Sequence, residues 1–157
     1  MAQMNRIAKL FADLQHGDCW IGTNFKEALY GVGAALATKH ISQHSNNIWQ
    51  LVFHLTYWRT SVINRINGSL EPPPFKDFAL PDDLNEENWK QALLDFENAY
   101  HQLRGAMLHF KEENLGKPSP KPGQTYYELI MGCLQHDAYH LGQIMLLKKA
   151  LDKKVVM

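Results

Sequence analysis

Gln135-His136-Asp137-Ala138-Tyr139-His140-Leu141-Gly142-Gln143-Ile144 lies inside a longer segment, from about Tyr126 to Leu151, whose apolar residues recur at helical spacing. Leu129, Cys133, His136, His140 and Leu147 fall on one side of the helix this predicts, so its inward face carries two imidazoles one turn apart. Just ahead, Thr125-Tyr126-Tyr127-Glu128 has the form of a capping box that seals a helix N-terminus. Leu115 to Gly123, rich in proline and glycine, separates this helix from whatever precedes it.

Working back along the chain, Trp89, Leu93, Phe96, Tyr100, Leu103, Met107 and Phe110 form the clearest helical period, and Asn85-Glu86-Glu87 supplies its cap and first-turn negative charge. Before it, Ser69 to Pro81 includes Pro72-Pro73-Pro74, which lack backbone donors and clash with a preceding helical turn, so this stretch is a crossover loop. A further helix is predicted from a cap at Ser45 or Asn46 through Ile66, closed by Asn67-Gly68. Ile7, Leu10, Phe11 and Leu14 predict a first helix over about Arg6 to Gln15, stopped by Gly17-Asp18, and Phe25 to Tyr30 reads as a short helical turn after a loop. Four amphipathic helices with no strand run argue for an all-α four-helix bundle, a single domain over residues 1–157, with a long crossover between the second and third helices.

Composition is consistent with that fold. Apolar residues make up 45% and charged residues 20% of 157, ordinary values for a chain that folds by burial. A formal net charge of zero leaves no electrostatic footprint for nucleic acid or an anionic membrane. Cys19 and Cys133 are too few for a disulfide framework, no apolar run is long enough to span a bilayer, and the first residues carry no signal-like block. The expectation is a cytoplasmic protein.

Histidine nitrogen suits zinc, nickel, copper or iron, and His136 with His140 can converge on one divalent ion. Two ligands on one helix do not make a tight site. His54 stands mid-helix among Leu51, Val52, Phe53 and Leu55, where an unpaired imidazole is costly, and is the candidate third ligand. The competing view of the pair, satisfied or surface histidines, is weakened by the apolar residues that share their face. His136-Asp137-Ala138-Tyr139-His140 also has the spacing of a metalloprotease helix with Asp137 as general base, but aspartate is a methylene shorter than the usual glutamate. Asp137 is otherwise a solvent-facing carboxylate or one that orients a histidine. A di-iron centre lacks its Glu-x-x-His motifs, and no Cys-x-x-Cys-His heme attachment is present. Cys133, one turn before His136, is placed to reach the metal or act as a thiol nucleophile but reads first as core. Tyr57, Trp58, Tyr139 and Gln143 read as core or pocket wall, and Arg59 as an anion ligand or a solvated surface charge. His40, His44, His101 and His109 are set outside the site.

His44 to Arg59 (His-Ser-Asn-Asn-Ile-Trp-Gln-Leu-Val-Phe-His-Leu-Thr-Tyr-Trp-Arg) resembles the second-helix signature of the DinB-like superfamily, and Gln135 to Ile144 resembles its last-helix signature. Trp20-Ile21-Gly22 through Leu29 is similar to the Trp-x-Gly segment by which that family enters its bundle. The resemblance implies an up-up-down-down bundle, commonly a homodimer, with a three-histidine metal site that maps onto His54, His136 and His140. It further implies a zinc, nickel or iron cofactor and a small-molecule substrate, handled by hydrolysis or by transfer involving a low-molecular-weight thiol.

Overall fold

A computed structural model describes residues 3–152. Four long helices, α1 (Gln3–His16), α4 (Ile48–Ile66), α5 (Glu86–His109) and α6 (Tyr126–Asp152), carry the core, with the short α2 (Phe25–Leu29) and α3 (Ala34–Ala37) between the first two. The described residues contain no strand; an isolated bridge between Pro118 and Thr125 closes the loop before α6. No helix among them is long and apolar enough to cross a membrane.

Local chemistry sets the ends. The α6 capping box forms as expected, Thr125 N–H donating to Glu128 Oε2 at 2.7 Å and Glu128 N–H to Thr125 Oγ1 at 3.2 Å. The second long helix starts slightly later than its sequence suggests, because Asn47, not Ser45 or Asn46, forms a reciprocal box with Gln50 at 2.8 and 3.0 Å. Ser45 turns its hydroxyl to Ser42 instead. The unexpected α3 receives its cap from a distant residue: Ala34 N–H donates to Glu86 Oε2 at 2.8 Å, which no local pattern announces.

Two apolar clusters stack end to end. One joins Leu14, Phe25, Trp49, Trp89, Phe96 and Leu141; the other joins Met4, Phe11, Ile66, Leu103, Met107 and Leu129. These pairings fix the helix directions. Met4 meets Glu112 and Gln15 meets Glu97, so α1 runs against α5. Trp49 packs on Trp89 and Arg59 on Phe96, so α4 and α5 run the same way. Ile66 clusters with Leu129 near one end and Trp49 with Leu141 and Ile144 near the other, so α6 opposes α4. The order is up-down-down-up, which corrects the expected up-up-down-down. The physical reason is that these pairings decide the order and the crossover permits it: two successive parallel helices require a connection as long as the helix itself, and residues 67–85 return the chain to the end from which α4 began. On the way Phe75 packs against Phe53 and Tyr57 of α4, which lays the loop over the middle of that helix.

Candidate metal centre

The facing sides of α4 and α6 bring His54, His136 and His140 together, and these three form the cluster capable of holding a metal among the described residues, with ligand atoms all within 4.8 Å of one another. His136 Nε2 lies 2.9 Å from His54 Nε2 and 3.1 Å from His140 Nε2. His54 and His140 are buried, each 7% exposed.

Partners outside the cluster aim the nitrogens. His54 Nδ1–H donates to Asp77 Oδ1 at 2.7 Å, and Trp58 Nε1–H holds the other carboxylate oxygen at 3.2 Å. His140 Nδ1–H donates to Gln143 Oε1 at 2.6 Å, and the Gln143 amide donates to Tyr139 Oη at 3.1 Å. With both Nδ1 atoms protonated, His54 and His140 present bare Nε2 lone pairs to the centre. His136 cannot satisfy both. A proton on its Nε2 serves one neighbour only and leaves the other Nε2 lone pair facing it unmet, while its Nδ1 is buried without a partner in either tautomer. A proton on Nδ1 instead leaves three lone pairs facing one point. A divalent cation satisfies all three, and bonds of about 2.0–2.1 Å need only a slight spreading of the Nε2 atoms. The residues fit a metal.

The electrostatics agree. Burial lowers the pKa of His140 to about 4, more than its Gln143 bond raises it. Burial also lowers that of His54, against the opposing pull of Asp77. Both rings are therefore neutral, as ligands must be, at ordinary pH. Phe78 lies flat on His54, ring centroids 3.9 Å apart, with a left-handed φ of 54° that is uncommon for a bulky residue. Its N–H donates to Asp77 Oδ1 at 2.9 Å, so the strained turn places carboxylate and ring lid together.

The centre opens on a cavity of about 390 Å³ whose walls include Trp58, Val62, Arg65, Gln124, Gly132 and Tyr139. Trp58 and Tyr139 line it as anticipated, whereas Tyr57 packs on Phe75 and Gln143 braces a ligand. Cys133 reaches the wall only 5% exposed, and burial first, then the nearby Asp137 charge, pushes its thiol pKa well up. It stays protonated and acts as core.

Two expectations are corrected. Arg59 is neither a solvated charge nor a ligand for incoming anions: it is 1% exposed, donates through Nε and Nη2 to Asp137 Oδ2 at 2.9 Å each, and lies 4.1 Å from the Phe96 ring centroid. Asp137, fully buried, is consequently neither solvent-facing nor free to act as a general base, and its Oδ1 stands 3.8 Å from His136 Nδ1, beyond hydrogen-bond range. His40 and His109 bond to backbone carbonyls and His101 pairs with Glu97, all apart from the centre. Sequence reasoning missed Asp77 and Phe78, whose only local signal is a carboxylate beside an aromatic in a proline-rich loop. Arg65, Lys121 and Gln124 were missed for want of any pattern at all.

Helices alone among the described residues, with three histidine nitrogens converging beside an open cavity, define a helical protein with a centre able to hold a metal ion. The DinB superfamily is matched over residues 21–144, most of the chain, and the chain belongs to that superfamily. No curated protein and no solved structure gives a match.

Proposed function

We propose that this chain is a metal-dependent enzyme acting on a small molecule within a DinB-like four-helix bundle, with His54, His136 and His140 as ligands of one divalent ion, zinc, nickel or iron. The observation that carries the reading is the convergence of three Nε2 atoms, two with their lone pairs aimed by Asp77 and Gln143, on the wall of a cavity. A bound ion supplies a Lewis-acid centre that polarises a substrate atom and lowers the pKa of a water or thiol reaching it. The chain's own residues do the rest. Asp77 and Gln143 keep the ligand tautomers, Phe78 shields one face of His54 from water, and Trp58 and Tyr139 border the entrance. Hydrolysis and thiol-dependent transfer are the two chemistries this arrangement serves.

A metal that only braces the fold is enclosed by protein ligands, whereas this centre has three and faces open space, which favours catalysis over a non-catalytic binding module. The proposed partners are a small-molecule substrate, a low-molecular-weight thiol being one candidate, and a second copy of the chain. The proposed setting is the reducing cytoplasm, in keeping with two free cysteines. Elemental analysis of purified protein beside H54A and H140A tests the site: about one ion per chain is expected in wild type and a marked loss in both variants, and equal content in all three refutes it. Turnover of small esters and of thiol acceptors by metal-loaded protein, against chelated protein, then separates the two chemistries.

A further inference from the structure

The cavity beside the centre has a second polar end. On α4, His54, Trp58, Val62 and Arg65 follow one another along the face that looks at α6, and on α6 the opposing wall runs back from His136 through Gly132 and Leu129 to Gln124 and Lys121 just before its first turn. Arg65 leans toward the histidines: its Cζ lies 5.6 Å from the Trp58 ring, which in turn lies 6.0 Å from the His136 ring. Arg65 Nε and Gln124 Oε1 are both buried without a hydrogen-bond partner. Among the described residues no carboxylate pairs with Arg65 or Lys121, and none lines the cavity. Between the two polar ends the wall is Val62, Leu129 and Gly132, and a Cβ added at Gly132 meets nothing within 4 Å.

A guanidinium held over an aromatic ring, lacking a counter-ion and facing a space it shares with a lysine and a primary amide, is arranged to receive a planar or tetrahedral oxyanion in fork geometry. We propose that Arg65, assisted by Lys121 and Gln124, forms an anion-binding subsite at the far end of the metal cavity, so that the substrate carries a carboxylate or phosphate at one end and its reacting atom at the other. This rests on the reading of the three histidines as an open metal centre and adds the chemical class of what enters it. His54 and Arg65 are three turns apart, a rise of about 16 Å, and the backward lean of the arginine shortens the span to roughly 10 Å. A six-carbon chain with a head group at each end has that reach.

The test uses cobalt(II)-loaded full-length protein and three thiols, 6-mercaptohexanoate, 6-mercaptohexyl phosphate and 6-mercaptohexanol, with affinity read from the thiolate-to-cobalt absorption. Wild type is expected to bind at least one of the anionic thiols about tenfold or more tightly than the alcohol. The anion with the larger gain identifies the group preferred. R65M is expected to bring the anionic thiols down to the alcohol, and K121M to cause part of that loss. Equal affinities in wild type, or a preference that survives in R65M, overturn the subsite while leaving the metal reading intact. An equal gain for 3-mercaptopropionate over 3-mercaptopropanol also overturns it, because the field of the ion alone then accounts for the preference. If no thiol reaches the cobalt, the open-metal reading fails, and thermal shifts of metal-free protein with hexanoate and hexyl phosphate decide the subsite. Stabilisation present in wild type and absent in R65M upholds it, and equal shifts in the two proteins reject it.

Discussion

Removing the Asp77 carboxylate tests how the centre is built. In the native arrangement Asp77 accepts His54 Nδ1–H at 2.7 Å and Trp58 Nε1–H at 3.2 Å, and nothing else among the described residues hydrogen-bonds His54 Nδ1. In D77A the His54 ring can rotate, and the tautomer with its proton on Nε2, which has no lone pair to give, becomes competitive. Loss of such an outer partner weakens metal binding by about 10- to 100-fold, or roughly 1.4 to 2.8 kcal/mol. The Asp77 side chain is 30% exposed, so its charge is partly screened and the lower half of that range is expected. D77N keeps an acceptor for Nδ1 but removes the charge, and should recover more than half of the lost binding energy. Competition for zinc against a chromophoric chelator gives the affinities, while urea unfolding of the metal-free proteins shows whether any difference arises from the fold. An affinity for D77A within about twofold of wild type would refute the tautomer argument. A D77N as weak as D77A would shift the explanation from the hydrogen bond to the charge.

Four further outcomes follow from the same geometry. D137N strands the buried Arg59 guanidinium and should destabilise the protein by about 3–5 kcal/mol in denaturant titrations, with R59M/D137L regaining most of it; a single-variant loss under about 1 kcal/mol contradicts the buried pair. His140 has a folded pKa lowered to about 4 from 6.5, so below pH 6.5 the unfolded chain takes up a proton that the fold refuses. Urea midpoints of metal-free protein should therefore be undiminished by this group above pH 6.5 and fall as pH drops toward 4, with a shallower fall in H140Q; a midpoint that rises on acidification reverses the sign and rejects the assignment. G132A should raise stability by up to about 1 kcal/mol, since a mid-helix glycine gains a better helix former and the new Cβ meets no atom, whereas G132L should keep the metal and lose thiol binding; metal loss in G132L would contradict the placement of the cavity. Cys133 should resist a disulfide reagent in native protein and react on unfolding, and fast native labelling would show the thiol to be neither buried nor raised in pKa.

The parts of this molecule that could be read from sequence are those whose causes lie within a few residues of their effects. The α6 capping box, the His136 and His140 pair and the apolar face they share are all consequences of helical period, and each appears as read. His54 could be placed by its apolar neighbours, because an imidazole in that company needs a partner wherever the partner comes from. Helix direction is different in kind. The same crossover length is compatible with several packings, and only pairings such as Trp49 with Trp89 and Gln15 with Glu97 decide among them. Arg59 shows the limit most plainly: its charge predicts exposure or a ligand, yet it is buried because Asp137, 78 residues away, neutralises it and Phe96 covers it.

Asp77 carries the same point into the chemistry. Three histidines at suitable places make a cluster, but which nitrogen lone pairs enter it depends on protons held at Nδ1, and the group that holds the one on His54 comes from a loop 23 residues along. Helical spacing therefore names the ligands without stating their tautomers. Three imidazoles with unassigned protons could equally well hydrogen-bond to one another in a closed chain and bind nothing. Once Asp77 and Gln143 claim the outer protons, that alternative lets His136 Nε2 serve one neighbour only, whereas a cation at the centre takes all three Nε2 lone pairs at once. The distinction between a histidine cluster and a metal centre thus resides in the shell around the ligands.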